Sequence, residues 1–178
     1  AIEVIDLMEN PDLNLKFEVL LDLGDTYISF GRIQSARKAY LECWMLINDD
    51  QTMRETIEDR FSKPVRVRNV EIPKTYPLPR IGEEIGETIS GSIALKYDVD
   101  INGQTINIEV IESTPEDIID NEAIKVINKV VYRPKYIEAE PQLTEGLNIR
   151  HEYNVRLLDI EEERVEEFRK YMTNRPTI

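Results

Sequence analysis

The chain has 178 residues, of which 41% are hydrophobic and 32% are charged, and its formal net charge is −13. These values are typical of a folded protein with one large or two small domains, and they exclude an intrinsically disordered chain. The negative charge argues against nucleic acid and against anionic membrane surfaces as partners. The sequence contains no apolar run long enough to cross a membrane and no secretory leader, and its single cysteine excludes both an internal disulfide and a cysteine-cluster metal site.

Residues 1–61 are predicted to form a helical module. A short first helix ends at Asn10-Pro11. The next segment, about residues 17–50, resembles one tetratricopeptide repeat, in which small residues let two antiparallel helices approach closely. The positions that carry this resemblance are Leu20, Leu23, Gly24, Tyr27, Gly31, Ala36, Tyr40 and Cys43.

The large side chains of this module fit a packed core. At helical spacing, Tyr27, Tyr40 and Trp44 are better explained as repeat core than as the lining of a peptide groove. Met53, Ile57 and Phe61 are spaced by four and predict a capping helix. Because a single repeat cannot bury its own face, we expect further repeats to precede it in the intact protein.

Residues 62–90 are predicted to be a linker. Its prolines prevent a helix, and residues 63–68 alternate as either an extended strand or a stretched basic arm. The prolines are Pro64, Pro73, Pro77 and Pro79.

Residues 91–158 predict a ββαβ unit, with one helix on a small antiparallel sheet. The first strand places Ile93, Leu95, Tyr97 and Val99 on one face and Ala94, Lys96 and Asp98 on the other. Asn102-Gly103 predicts a type I′ hairpin turn, after which Ile106, Ile108 and Val110 resume the alternation.

The predicted helix of this unit starts near Thr114-Pro115, where the threonine can act as its cap. Its apolar stripe is Ile119, Ala123, Val126, Ile127 and Val130. After Tyr132, expected in the core, and Arg133, expected in solvent, a last strand has two faces. One face carries Ile149, His151, Tyr153, Val155 and Leu157, and the other carries Arg150, Glu152, Asn154 and Arg156.

An ordered set of motifs, from about residue 76 to 158, resembles the C-terminal domain of the TonB energy transducers. The set is Tyr76-Pro77, Gly91-x-Ile93-x-Leu95-x-Tyr97-x-Val99, Asn102-Gly103, Glu112-Ser113, Ala123-Ile124, Tyr132-x-Pro134 and Gly146. The fold class is therefore α+β: a tetratricopeptide-like helical hairpin, then a TonB-like domain at 91–178 that includes an extra C-terminal helix at 160–172.

The resemblance implies a periplasmic protein that binds receptor TonB-box peptides by strand addition and supports energy-coupled transport across the outer membrane. It implies an ExbB/ExbD-type motor as partner through an N-terminal region outside this chain, which would also anchor the protein in the inner membrane. The helical repeat would bind another periplasmic protein.

The resemblance and the strand alternation together place the peptide-binding edge on the last strand, from Asn148 to Leu158. The expected contact residues are Tyr76, Pro77, Asn148, Ile149, Arg150, His151, Glu152, Tyr153 and Asn154. A competing arrangement has the C-terminal helix folded over this edge.

No enzyme motif is present: the sequence lacks a helical His-Glu metal motif, a phosphate loop and a nucleophile elbow. His151, the only histidine, and Cys43 lie in different predicted domains, so a Cys–His pair is not expected. We therefore predict no catalysis, no metal and no cofactor. The alternative function is a periplasmic scaffold or adaptor, in which the repeat and the ββαβ unit mediate protein assembly without energy transduction.

Overall fold

The computed structural model describes residues 12–47, 51–76 and 88–156, and it confirms the α+β fold class. The predicted first helix and C-terminal helix, as well as Pro77 and Pro79, lie outside these ranges. The chain divides into two compact units. Unit 1 contains residues 1–70, 97–108 and 127–147, and unit 2 contains residues 71–96, 109–126 and 148–178.

The helices of unit 1 are α1 (Leu13–Ser29), α2 (Ile33–Met45) and α3 (Gln51–Phe61). Asp12 caps α1, since its Oδ1 accepts from the N–H groups of Asn14 and Leu15. Glycine is required at position 24, because a Cβ there would lie 2.2 Å from Cε1 of Tyr40. The close contact of α1 with α2 is thus the one that the repeat pattern predicts, and membership in the tetratricopeptide family stays a prediction.

The core of unit 1 extends beyond the predicted boundary at Phe61. Met53, Ile57 and Phe61 are buried as expected of a capping helix. The same core includes Val131 and Tyr136, with the Tyr136 ring centroid 5.1 Å from that of Phe61. Hydrophobic residues far apart in sequence thus share one core with the helices. The domain limits 1–61, 62–90 and 91–178 stay a prediction.

Short strands accompany these helices in unit 1. Strand β1 (Val65–Arg68), within the predicted linker, pairs antiparallel with β5 (Val131–Arg133), and β6 (Lys135–Ile137) pairs with β7 (Glu140–Gln142). The predicted exposure of Arg133 is wrong: its side chain is buried, because Asp25 pairs with its guanidinium at 3.0 Å. Tyr132 is buried as predicted, and its hydroxyl lies 2.6 Å from that of Tyr97.

A four-stranded sheet has the strand order β2-β8-β3-β4. Its strands are β2 (Thr75–Tyr76), β3 (Thr88–Val99), β4 (Thr105–Thr114) and β8 (Thr144–Arg156). The unit limits fall within β3, β4 and β8. The predicted buried face of β3 is confirmed, since Ile93, Leu95, Tyr97 and Val99 are all buried.

The turn between β3 and β4 is not type I′. Gly103 has a φ of +78°, whereas Asn102 is not among the residues with positive φ. The reason is Asp100, whose Oδ1 accepts from the N–H groups of both Asn102 and Gln104 at 2.8 Å. This carboxylate fixes the turn one residue earlier, with the Gly103 N–H donating to the Asp100 carbonyl at 3.0 Å.

Two predicted faces change near this turn. Asp98, predicted on the face opposite the apolar residues of β3, is also buried, and its carboxylate accepts from Asn107 Nδ2 and from the Gly146 N–H, each at 2.8 Å. Asn107 has a φ of +51°, which interrupts the alternation of β4. Ile106, predicted on the core face, is therefore exposed.

Helix α4 (Asp120–Ile127), the helix of the predicted ββαβ unit, starts later than predicted. Thr114 is the last residue of β4 and does not cap the helix, and the Thr114–Pro115 peptide is cis. Instead, Ser113 Oγ donates to Asp120 Oδ1 at 2.5 Å, which joins the end of β4 to the first turn of the helix. The predicted stripe is confirmed, since Ile119, Ala123, Val126, Ile127 and Val130 are buried.

Candidate functional site

The last strand, β8, is not the outermost strand of its sheet. β2 lies beside it in parallel, with Thr75 opposite Asn154 and Tyr76 opposite Val155. The prediction that Asn148 to Leu158 forms a sheet edge is therefore wrong at its C-terminal part. A strand of only two residues has no readable alternation, so the sequence could not reveal it.

N-terminal to this pairing, one side of β8 has no strand beside it among the described residues. The Asn154 N–H donates to the Lys74 carbonyl at 2.8 Å, which fixes the side toward which it points. Because backbone groups alternate along a strand, the N–H groups of Glu152 and Arg150 point to that same side. The β2 pairing reaches only Asn154 and Val155. Within the described ranges no strand pairs with the backbone groups of Glu152 and Arg150 on this side, where an incoming strand could bind them.

A polar groove of about 480 Å³ lies next to this free side, wholly within unit 2. On β8 it is lined by Arg150, Glu152 and Asn154, whose side chains are exposed. Arg150 Nη2 contacts Glu112 Oε2 at 2.5 Å, so one wall carries an exposed ion pair. The other lining residues are Lys74, Ser90, Gly91, Ser92, Thr114 and Tyr153. This lining can bind polar or charged side chains.

The opposite face of β8 supports the groove from below. The Tyr153 ring occupies the space that a side chain at Gly91 would need, since a Cβ there would lie 2.7 Å from Tyr153 Cζ. Burial raises the pKa of Tyr153 to about 12, and the carboxylate of Asp120 adds to this rise. The His151 ring stacks on Tyr153, and its Nε2 donates to the Pro73 carbonyl at 3.0 Å. His151 thus holds the segment that leads into β2.

The predicted contact residues fall into three groups. Exposed side chains that line the groove belong to Arg150, Glu152 and Asn154, and Asn148 is exposed further along the strand. Half-buried or buried side chains belong to Tyr76, Ile149, His151 and Tyr153. Pro77 lies outside the described residues. Arg156, predicted on the same face as Arg150 and Glu152, is buried; it is the last residue of β8 and follows Val155, which pairs with β2.

Five lining residues, Gly91 among them, were not predicted as contact residues from the sequence. Ser90 and Ser92 alternate with Gly91 and Ile93, so the period of β3 could have placed them on the face opposite the core. Lys74 and Thr114 carry no comparable signal, because they reach the groove through β2 and the end of β4. No cluster of side chains suited to a metal ion occurs in the described ranges.

Comparison with known proteins identifies this part of the chain. Residues 79–155 match the family model described as Gram-negative bacterial TonB protein C-terminal. These residues are a TonB C-terminal domain. Domains of this family are periplasmic and non-enzymatic, and they serve energy-coupled transport.

Five solved chains also match. One is the TonB2 protein from Vibrio anguillarum, which is 18% identical over 49% of this chain and 89% of its own, with a TM-score of 0.33. Curated proteins gave no match. Among the described residues, no helix is long and apolar enough to span a membrane.

Proposed function

We propose that the TonB C-terminal domain binds an extended receptor segment, a TonB box, as an added strand on the free side of β8. The protein would act in the periplasm and support energy-coupled transport across the outer membrane. The observation that carries the proposal is that, in the described part of the chain, β2 pairs only with Asn154 and Val155 and leaves Arg150 and Glu152 beside a polar groove. An ExbB/ExbD-type motor and a periplasmic partner of the helical repeat belong to the same proposal.

The backbone would supply most of the affinity. In strand addition, main-chain hydrogen bonds bind the peptide and alternate side chains enter pockets that set specificity. The free N–H and C=O groups of Arg150 and Glu152 can form such bonds. These backbone groups do not bond to β3, because the groups that face β3 belong to the alternate residues Ile149, His151 and Tyr153.

The groove would determine which peptide binds. Side chains of the added strand that point to the exposed face would meet the Arg150–Glu112 pair and the hydroxyl groups of Ser90, Ser92 and Thr114. The charges in this groove are mixed, and Glu152 and Lys74 also line it. Such a lining favours peptides with polar or oppositely charged alternate residues over apolar ones.

A pair of variants at one position tests this proposal. Glu152→Pro removes the outward N–H, whereas Glu152→Ala removes only the side chain. Isothermal titration calorimetry measures the binding of a TonB-box peptide to the 178-residue chain. The proline variant should bind about tenfold more weakly, as expected for one or two lost hydrogen bonds. The alanine variant should lose much less affinity, because it keeps the N–H.

Circular dichroism of both variants checks that the fold is retained. Equal affinities of Glu152→Pro and Glu152→Ala would contradict strand addition at this position. If neither variant nor wild type binds any TonB-box peptide, the adaptor function becomes the better explanation of the domain.

A further inference from the structure

We infer that one corner of unit 1 docks on an anionic lipid surface. The corner, which we call the basic corner, consists of Phe30, Arg32, Arg37, Arg68, Ile101 and Lys129. It lies outside the receptor-binding strand proposed above and its function is independent of that strand. Three observations support the inference: the convergence of three turns, a local reversal of charge, and an exposed aromatic side chain.

Hydrogen bonds from two arginines bring the three turns together. Arg68 donates through Nη1 to the Ser29 carbonyl at 3.4 Å and through Nη2 to the Lys129 carbonyl at 2.9 Å. These bonds join the turn after α1 to the turn before β5. Arg37, in the first turns of α2, donates to Asn102 Oδ1 at 3.0 Å, at the tip of the β3–β4 hairpin. The corner is thus a built arrangement of segments that are distant in sequence.

The charge of this corner is opposite to that of the whole chain. Arg37 and Arg68 donate to neutral oxygens, so these hydrogen bonds do not neutralise their positive charges. Within the described ranges, neither these two arginines nor Arg32 and Lys129 form an ion pair with a carboxylate. Asp100, next to Ile101 in the hairpin turn, is an anion, and the N–H groups of Asn102 and Gln104 donate to its carboxylate.

The net charge of −13 does not prevent docking of such a corner. Exposed charges farther away than the Debye length of about 8 Å at physiological salt are largely screened. A membrane surface would therefore respond mainly to the four local cations. The sequence-based argument against anionic membranes holds for the average charge of the chain and not for this corner.

Apolar side chains project from the same corner. Phe30 is 78% exposed and Ile101 is 43% exposed. A Cβ at Gly31, next to Phe30, would have no atom within 4 Å, so the turn projects into open space. A projecting aromatic residue accompanied by cations fits the interface of an anionic bilayer. The aromatic ring would enter the headgroup boundary, and the cations would contact phosphates. An acidic peptide would instead need a groove to hold its backbone.

Sedimentation with lipid vesicles tests the inference on the 178-residue chain. Vesicles of phosphatidylcholine with about 30% phosphatidylglycerol should bind the protein, in a salt-sensitive manner, and pure phosphatidylcholine vesicles should not. Arg32→Glu and Lys129→Glu should each weaken binding about fivefold or more, as expected for the loss of one interfacial cation. Phe30→Ser should also weaken it, and Phe30→Trp should retain it.

Two control variants lie in the same unit but away from the corner. Met45→Ser removes an apolar side chain that is 67% exposed at the far end of α2, and Lys63→Glu reverses an exposed charge. Both should bind like wild type. The inference is overturned if wild type does not bind the anionic vesicles, or if the control variants lose as much binding as the corner variants. Binding to polyglutamate without binding to vesicles would also overturn it and would indicate an acidic protein partner.

Discussion

The carboxylate of Asp25 and the guanidinium of Arg133 form an ion pair at 3.0 Å that joins α1 to β5. Only 5% of the arginine side chain and 26% of the aspartate side chain are exposed. The Tyr40 hydroxyl donates to the same carboxylate at 2.8 Å, and the Arg133 guanidinium lies over the Phe61 ring. Burial raises the pKa of Asp25 above its usual value, although Arg133 opposes the rise.

We expect this pair to be essential to the stability of unit 1. Asp25→Asn keeps an acceptor for Tyr40 but leaves the buried Arg133 cation unpaired, which should lower the free energy of unfolding by about 3 kcal/mol. Asp25→Leu combined with Arg133→Met should cost less than the sum of the two single variants. Urea denaturation measures the free energy of unfolding of each variant.

The exposed Lys38–Glu42 pair provides the control for this experiment. Lys38→Met should change the free energy of unfolding by less than about 1 kcal/mol, since such surface pairs contribute little. Additive costs in the Asp25–Arg133 cycle would contradict the coupling.

Cys43 should be inert in the native protein. Its side chain is fully buried, its Sγ lies 3.9 Å from the Phe17 carbonyl, and burial raises the pKa of the thiol from 9.0 to about 12. Alkylation by iodoacetamide at pH 8 should therefore be slow in buffer and fast in denaturant. Rapid labelling of the folded chain would contradict burial.

The same pKa difference predicts a pH dependence of stability. The unfolded thiol ionises near pH 9, while the folded thiol stays protonated to about pH 12. The unfolded state thus releases its proton first, and the free energy of unfolding should fall as pH rises above about 9. Cys43→Ala should show a smaller fall over this range, which chemical denaturation at several pH values can measure.

The pairing of β2 with β8 predicts competition with the receptor peptide. By the parallel ladder pattern, the Tyr76 N–H bonds to the Asn154 carbonyl, so β2 occupies the continuation of the proposed peptide track. Tyr76→Pro would remove this bond and should raise the affinity for a TonB-box peptide. Tyr76→Phe keeps the N–H and should not. Weaker binding of the proline variant would instead indicate that β2 is part of the peptide site.

Limited proteolysis tests the predicted domain limits. We expect cleavage within 62–90, outside strands β1, β2 and β3, where the chain carries four prolines. The two fragments should then co-elute in size-exclusion chromatography, since Val131 and Tyr136 share a core with α1–α3. Fragments that separate and stay folded would show that residues 1–61 form an independent domain.

Local patterns in the sequence predicted helices and strands, whereas contacts between residues distant in sequence determined the burial of side chains such as Arg133. The alternation of β3 and the stripe of α4 were predictable because period and burial coincide there. The burial of Arg133 was not predictable, since its partner, Asp25, lies 108 positions away. The same limit applies to the groove: the exposed face of β8 could be predicted, whereas the contribution of Lys74 depends on a two-residue strand.

Amide hydrogen exchange measured by NMR tests strand addition at β8 most directly. Without peptide, the Glu152 and Arg150 amides should exchange fast, while those of Ile149 and Tyr153, which face β3, should be protected. A saturating TonB-box peptide should slow exchange at Glu152 and Arg150 by about tenfold or more, since each gains a backbone hydrogen bond. Unchanged exchange at both amides in the presence of bound peptide would contradict the proposal.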